Sequence, residues 1–310
     1  MNIYLVVHLY NFSNTTKTDT SNNISYSISN YTSDLAKMIA NVRGSIVQVG
    51  DGVGTVFSSN DSIIQIVTSE ENVNDLEEVD VIFDSGASKT GTVIGRDDTT
   101  HIAIINVECD FVATPLKHGD SDTVQEGDII VLLGSRNQKT LETNSSMGIL
   151  QSQSILSSGV QALKTDTTIE NGNGAPLLNV AGEMIGMLID DKTCIGINDI
   201  NMAYEEIVEN GSVTRGILGI QYKNVSDLKT YQKNERNLSL DITSGVLVTN
   251  VTGNAQGILE ENDVITNIDH TDVDSMASMR EILYSLEPSE ECTITLIRNE
   301  EEMTVSVIAG

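Results

Sequence analysis

Apolar residues recur along this chain with two periods. Leu35, Met38, Ile39 and Val42 stand at helical spacing behind a Ser33-Asp34 pair suited to an N-cap, which predicts a helix there. The spacing then shortens to runs rich in Val, Ile and Thr. It predicts strands at Ser45–Gly50, Gly52–Phe57, Ile63–Thr68, Val79–Phe83, Lys89–Ile94, Ile102–Val107, Asp128–Leu133, Met147–Gln153, Val160–Thr165, Pro176–Asn179 and Glu183–Ile189. Short, regularly spaced strands broken by Gly, Asn and Asp predict an all-β barrel or sandwich. Residues 199–210 read as a closing helix stopped by Gly211. Beyond it come a strand at 244–251, another at Asn267–Asp269, and a helix at Ser275–Leu283. That helix carries Met276, Met279, Ile282 and Leu283 on one face. A hairpin follows, 293–298 with 304–308 across Asn299–Glu302. The polar stretch 222–243 reads as a loop, and the Met stripe as core rather than a cofactor site.

Residues 1–12 are apolar, but as a helix they would span roughly 18 Å against a hydrocarbon core of about 30 Å. No basic region precedes them and no small-residue cleavage site follows, so a complete signal peptide is not supported. The tail of a membrane anchor, an edge strand and a docking segment all fit them. Residues 13–33, rich in Ser, Thr and Asn, read as a flexible linker. The division expected is therefore 1–33, 34–211 and 212–310.

Composition narrows the function classes. The net charge is −28, with 17 Lys and Arg in 310 residues, which argues against nucleic acid and anionic membrane surfaces. Cys109, Cys194 and Cys292 form no CxxC and suggest neither a zinc site nor a disulfide framework. No cofactor and no metal are expected.

The most informative stretch is Thr165–Leu178, where Asn171-Gly172-Asn173-Gly174 makes a tight loop between polar and apolar runs. It resembles the nucleophile loop of HtrA-type (HtrA/Deg) trypsin-like serine proteases, Thr-Asp-Ala-Ala-Ile-Asn-Pro-Gly-Asn-Ser-Gly-Gly. Other pieces resemble that family in the same order. They are Gly52-Val-Gly-Thr-Val-Phe57, Ile66-Val-Thr68, Val93 to Ile105, Gly119-Asp-Ser-Asp122, Leu133-Gly134 and Met147-Gly-Ile-Leu-Gln-Ser152. Thr214-Arg-Gly-Ile-Leu-Gly-Ile220 and Gly257 to Ile265 resemble the family's PDZ domain. The resemblance implies a mainly β chain, a chymotrypsin-like double β-barrel followed by an α+β PDZ domain.

In the family's register the catalytic serine falls on Gly174, the histidine on Glu71 and the aspartate on His101. Triad chemistry needs a nucleophile, an imidazole base and an orienting carboxylate, and none of these three residues can fill its role. The oxyanion-loop positions are Gly172, Asn173 and Gly174. Pro176 replaces a glycine beyond them and lacks an N–H. A relocated site would have to use His101 with Ser69 or Thr68, while His118 is expected on the barrel surface.

The resemblance thus implies a pseudoprotease without proteolysis of its own. It would bind peptides or protein C-termini through Arg215, Gly216, Ile217, Leu218, Gly219 and Ile220 as adaptor, regulator or assembly subunit. Arg215 either supplies positive charge for a terminal carboxylate or is a surface residue. The alternative is a divergent, active endopeptidase of protein quality control. The family further implies a homo-oligomer (a trimer built through residues 1–50) or a mixed assembly with an active paralogue, outside the cytoplasm and membrane-tethered.

Overall fold

The computed structural model describes residues 28–136 and 143–310; the apolar segment 1–12 lies outside them. Helix α1 spans Ile28–Val42, so it begins ahead of the expected cap at Ser33 and takes in residues read as linker. Its predicted face is the packed one. Met38 is buried against Gly182, and Leu35, Ile39 and Val42 lean on the same core.

Six strands follow: β1 (Ile46–Val49), β2 (Gly52–Ser59), β3 (Ile63–Ser69), β4 (Glu78–Phe83), β5 (Ser88–Asp97) and β6 (Ile102–Glu108). They close a barrel in the order β1-β2-β3-β6-β5-β4. A second barrel comprises β7 (Ile129–Arg136), β8 (Thr143–Ile155), β9 (Gln161–Thr165), β10 (Pro176–Leu178), β11 (Met184–Asp190) and β12 (Thr193–Gly196). Its order, β10-β11-β12-β9-β8-β7, repeats the first. Closure removes free strand edges. Strand β12 has no counterpart among the expected strands, because Thr193-Cys-Ile-Gly196 is short and runs straight into α2 (Ile197–Asn210). Gly211, at φ +79°, ends α2 by donating its N–H to the Ile207 carbonyl at 2.8 Å.

One apolar core joins the barrels: Ile46, Val53, Phe57 and Val67 of the first pack with Leu132, Leu177 and Met187 of the second and with Ile200 and Ile207 of α2. The first barrel has a core of its own around Val47, Ile64, Ile66 and Ile105. Both barrels therefore meet along one seam, and the loops at that seam are held from two sides.

The C-terminal domain is a sheet in the order β13-β14-β15-β17-β18. Its elements are β13 (Ile220–Asn224), α3 (Thr230–Glu235), β14 (Val246–Val251), β15 (Val264–Ile268), β16 (Thr271–Asp272, on β15), α4 (Met276–Ser285), β17 (Glu291–Arg298) and β18 (Glu301–Ile308). The stretch 222–243 is thus not one loop: it completes β13 and contains α3. In β13 only Ile220 and Tyr222 face inward, too few to show a strand in the sequence. The final hairpin turns on Asn299 and Glu300 alone, at φ +52° and +67°, with Arg298 opposite Glu301. Met276, Met279, Ile282 and Leu283 are all core, and all three cysteines are buried and free. Among the described residues no helix is long and apolar enough to cross a membrane.

Candidate functional site

The seam between the barrels gathers Glu71, His101 and the Gly172–Gly174 loop, the residues that the resemblance sets at the triad positions. Strand β3 ends at Ser69 and turns through a short 3-10 segment, Glu70–Asn72. The start of β6 is tied to this turn, because the Glu70 N–H donates to the His101 carbonyl at 3.0 Å. The His101 ring Nδ1 lies 2.6 Å from Glu70 Oε1, so the imidazole is paired with Glu70 and not with Glu71. Glu71 turns the other way and accepts from Asn173 Nδ2 at 2.6 Å. Glu71 is thus tied to the 172–174 loop through Asn173 and His101 to the turn through Glu70, with no hydrogen bond between Glu71, His101 and Gly174 themselves.

Gly174 has no room for a side chain. It sits at φ +87°, and a Cβ there would overlap the Val53 carbonyl oxygen and lie 2.8 Å from Thr68 Oγ1 and 3.0 Å from Asn72 Nδ2. Val53 O accepts from Thr68 Oγ1 at 2.6 Å and from Asn72 Nδ2 at 3.2 Å. The same Asn72 amide donates to Thr68 Oγ1 at 2.9 Å and to the Asn173 carbonyl at 2.7 Å. The side chain after Glu71 therefore stitches β2 to the loop that would carry a nucleophile.

Two N–H groups at the loop's end are directed inward as well: Gly174 donates to the Leu188 carbonyl at 2.7 Å and Ala175 to Gly172 O at 2.7 Å, while the loop's Asn173 carbonyl accepts from the Val53 N–H of β2 at 3.0 Å. An oxyanion hole requires such donors aimed at an incoming oxygen; the Gly174 donor has a protein partner. Pro176, at the start of β10, is buried. The relocated nucleophiles fare no better. Thr68 and Ser69 are fully buried, and Thr68 Oγ1 donates to Val53 O rather than to an imidazole. Beside the loop lies an open depression of about 550 Å³ bordered by Asp51, Glu170, Gly172, Asn173, Leu188 and Asp191. His118 is not a surface residue: it is half-buried and stacks on Phe57 with ring centroids 4.0 Å apart. Burial lowers its pKa from the ordinary imidazole value, against an opposing hydrogen bond with Asn201.

The expected peptide-binding run is also partly committed. Arg215 is neither exposed nor free for a peptide carboxylate; it is buried and ion-paired with Asp97 of β5, and it bonds the Tyr284 hydroxyl. Gly216 lies against Leu286 and Ala309, where a Cβ would be 2.6 and 2.9 Å from theirs. Ile217 pairs with Gly310, donating at 3.2 Å and accepting at 2.8 Å. Leu218 and Ile220 are buried, and the Gly219 carbonyl accepts from the Thr252 N–H at 2.6 Å.

The sequence reading missed Arg280. This buried arginine of α4 grips Asp122 in two bonds of 2.9 and 2.8 Å and reaches Asp199 through Nε at 3.1 Å. Burial by itself would raise the Asp122 carboxyl, but Arg280 outweighs it and holds the group below its ordinary value. At Asp199, which is fully buried, desolvation wins and the carboxyl is pushed up despite Arg280. The one hint in the sequence is an arginine beside Met279 on an apolar helix face.

Two family models match the chain, a trypsin-like peptidase domain over residues 52–187 and a PDZ domain over residues 216–308. Paired six-stranded barrels and the C-terminal sheet define the class: a trypsin-like double barrel joined to a PDZ domain. In sequence the chain is similar to bacterial proteins named as HtrA-type serine proteases, and in fold to an HtrA-type protease. It is 25% identical over 287 residues to the serine protease Do-like HtrA of Lactobacillus helveticus, covering 86% of this chain and 70% of that protein. It is 26% identical over 276 residues to the periplasmic pH-dependent serine endoprotease DegQ of Escherichia coli, covering 83% of this chain and 59% of DegQ. The fold also matches the structure of the HtrA-type protease AlgW with a decapeptide. There the TM-score is 0.58 at 18% identity, over 89% of this chain and 98% of AlgW.

Proposed function

We propose that this HtrA-type chain performs no proteolysis and acts through binding, as an adaptor, regulator or assembly subunit that recognises peptides or protein C-termini with its PDZ domain. The observation that carries this reading is the packing at Gly174. The Val53 carbonyl lies where a nucleophile's side chain would begin, and the Gly174 N–H is bonded to Leu188. A missing serine alone is a sequence fact; a filled site with an inward-facing loop supports loss of the chemistry itself. Glu71 adds to it, since triad chemistry uses an imidazole to take the hydroxyl proton and a carboxylate stands in its place.

The decapeptide seated on AlgW supports the peptide-binding half of the proposal. Strand addition at the edge of β13, beside α4, is the mode such a domain offers. The name of the periplasmic relative supports a place outside the cytoplasm. Association with further copies, as a trimer, or with an active paralogue belongs to the same reading, and mass measurement in solution tests it.

The test of the central claim is incubation of the full chain with unfolded casein and with a fluorophosphonate probe. No cleavage and no labelling are expected. Cleavage that vanishes when one serine or threonine is replaced would overturn the reading in favour of a divergent endopeptidase.

A further inference from the structure

A turn of the second barrel packs against the face that β13 and α4 form. Strand β13 is the edge of its sheet, and its inward residues Ile220 and Tyr222, with Leu218, face Met276, Met279 and Leu283 of α4. Ile155, the last residue of β8 in the second barrel, belongs to this same buried cluster and is only 3% exposed. The turn that follows is closed by the Gly159 N–H on Leu156 O and by Leu156 N–H on Val160 O, both 2.9 Å. Gly159 lies directly against α4: a Cβ on it would stand 2.7 Å from Leu283 Cδ1, and its carbonyl accepts from Tyr222 Oη at 3.4 Å.

We propose that the tip of the β8–β9 hairpin is the resident occupant of the PDZ groove, with Ile155 in the place of a ligand's apolar side chain. A C-terminal peptide ending in a branched aliphatic residue then binds by displacing it. The inference rests on the peptide-binding reading above and adds what competes for the site. Beyond Ile155 the groove widens into a cavity of about 710 Å³, bordered by Gln153, Ser154, Lys223, Asn224, Gln232 and Met276. This open end gives an incoming strand a first foothold along β13. The Arg280 clasp on Asp122 and Asp199 holds α4 against the barrel and keeps the hairpin seated. Closure lowers apparent affinity by the fraction of molecules that are open.

Methyl-labelled full-length protein provides a first test. Nuclear Overhauser contacts from Ile155 to Leu218 and Leu283 methyls are expected, and their absence in the folded chain overturns the proposal. The second test measures fluorescent decapeptides ending in Ile or Val by anisotropy, against wild type and two variants. Ile155→Ser removes the side chain from the groove. Gly159→Asn tolerates the left-handed backbone while its Cβ wedges against Leu283, so it serves where Ile155→Ser does not fold. An open population of one in ten predicts about tenfold tighter binding by the variants. Equal affinity in wild type and folded variants overturns the occupancy proposal and leaves the peptide-binding reading intact. Binding by none of the three overturns that reading, and the displacement step with it.

Discussion

Asn72 shows how one side chain can settle a site. Its amide donates to Val53 O, Thr68 Oγ1 and Asn173 O, so it needs a donor at that point and nothing else. Asn72→Ala is expected to cost about 1 kcal/mol per lost bond. Asn72→Asp should cost more, since it sets an acceptor against acceptors; urea midpoints of the two variants check the order. Gly174 makes the harder case. Restoring the triad as Gly174→Ser with Glu71→His and His101→Asp is expected to give an inert protein. The left-handed backbone alone costs a side chain on the order of 1–3 kcal/mol, and the Val53 carbonyl occupies its space. Cleavage of casein by that variant would show that the seam relaxes more than its packing implies. His118 supplies a pH dependence. Burial holds its folded-state pKa below the unfolded value of about 6.5. Its contribution is therefore complete above that pH and is lost as pH falls through the folded-state value. Urea midpoints at pH 7.5 and 5.5 should differ less for His118→Phe than for wild type.

Helix α4 carries two jobs on neighbouring positions. Met279 and Leu283 build the PDZ core, while Arg280 reaches across to the second barrel. Removing one member of a buried ion cluster strands the others, typically at about 3–5 kcal/mol, whereas replacing all members by neutral groups often costs little. Arg280→Ala is accordingly expected to destabilise strongly. Arg280→Met combined with Asp122→Asn and Asp199→Asn should recover most of the loss in thermal unfolding. Were the single and triple variants equally unstable, packing of the arginine stem rather than its charge would be what holds α4 to the barrel.

The buried pairs Arg215–Asp97 and Arg280–Asp122 tie the PDZ domain to both barrels, one pair to each. Ile155 extends the PDZ core into the second barrel. Shared burial couples unfolding of the parts, so a single cooperative transition is expected for the full chain. Hydrogen exchange read at Ile105 of the first barrel and Val248 of the PDZ sheet should report one opening free energy. Arg280→Ala should split it, the PDZ amides exchanging first. Two separate transitions in wild type would contradict the coupling.

The division of the strands into two barrels and a PDZ domain was legible only through the family resemblance. Most strands themselves were legible because period-2 burial leaves its mark on a strand that packs on one face, as at Val79–Phe83 and Thr293–Arg298. The core role of Met276 and Met279 was legible for the same reason at helical period. Glu71, His101 and Gly174 were assigned through the order in which segments resembling the family follow one another along the chain. What those residues touch could not be read. Pairing of His101 with Glu70, stitching by Asn72 and overlap of Gly174 with Val53 join segments far apart in sequence, and no local pattern records such contacts. Arg215 shows the limit most clearly. Its residue type fits a terminal carboxylate, yet Asp97, brought beside it by the packing of the PDZ domain on β5, takes the charge first. Local periodicity determined the elements and their order; the burial of distant polar groups against one another, which only folding in three dimensions brings about, decided which groups remain free to act.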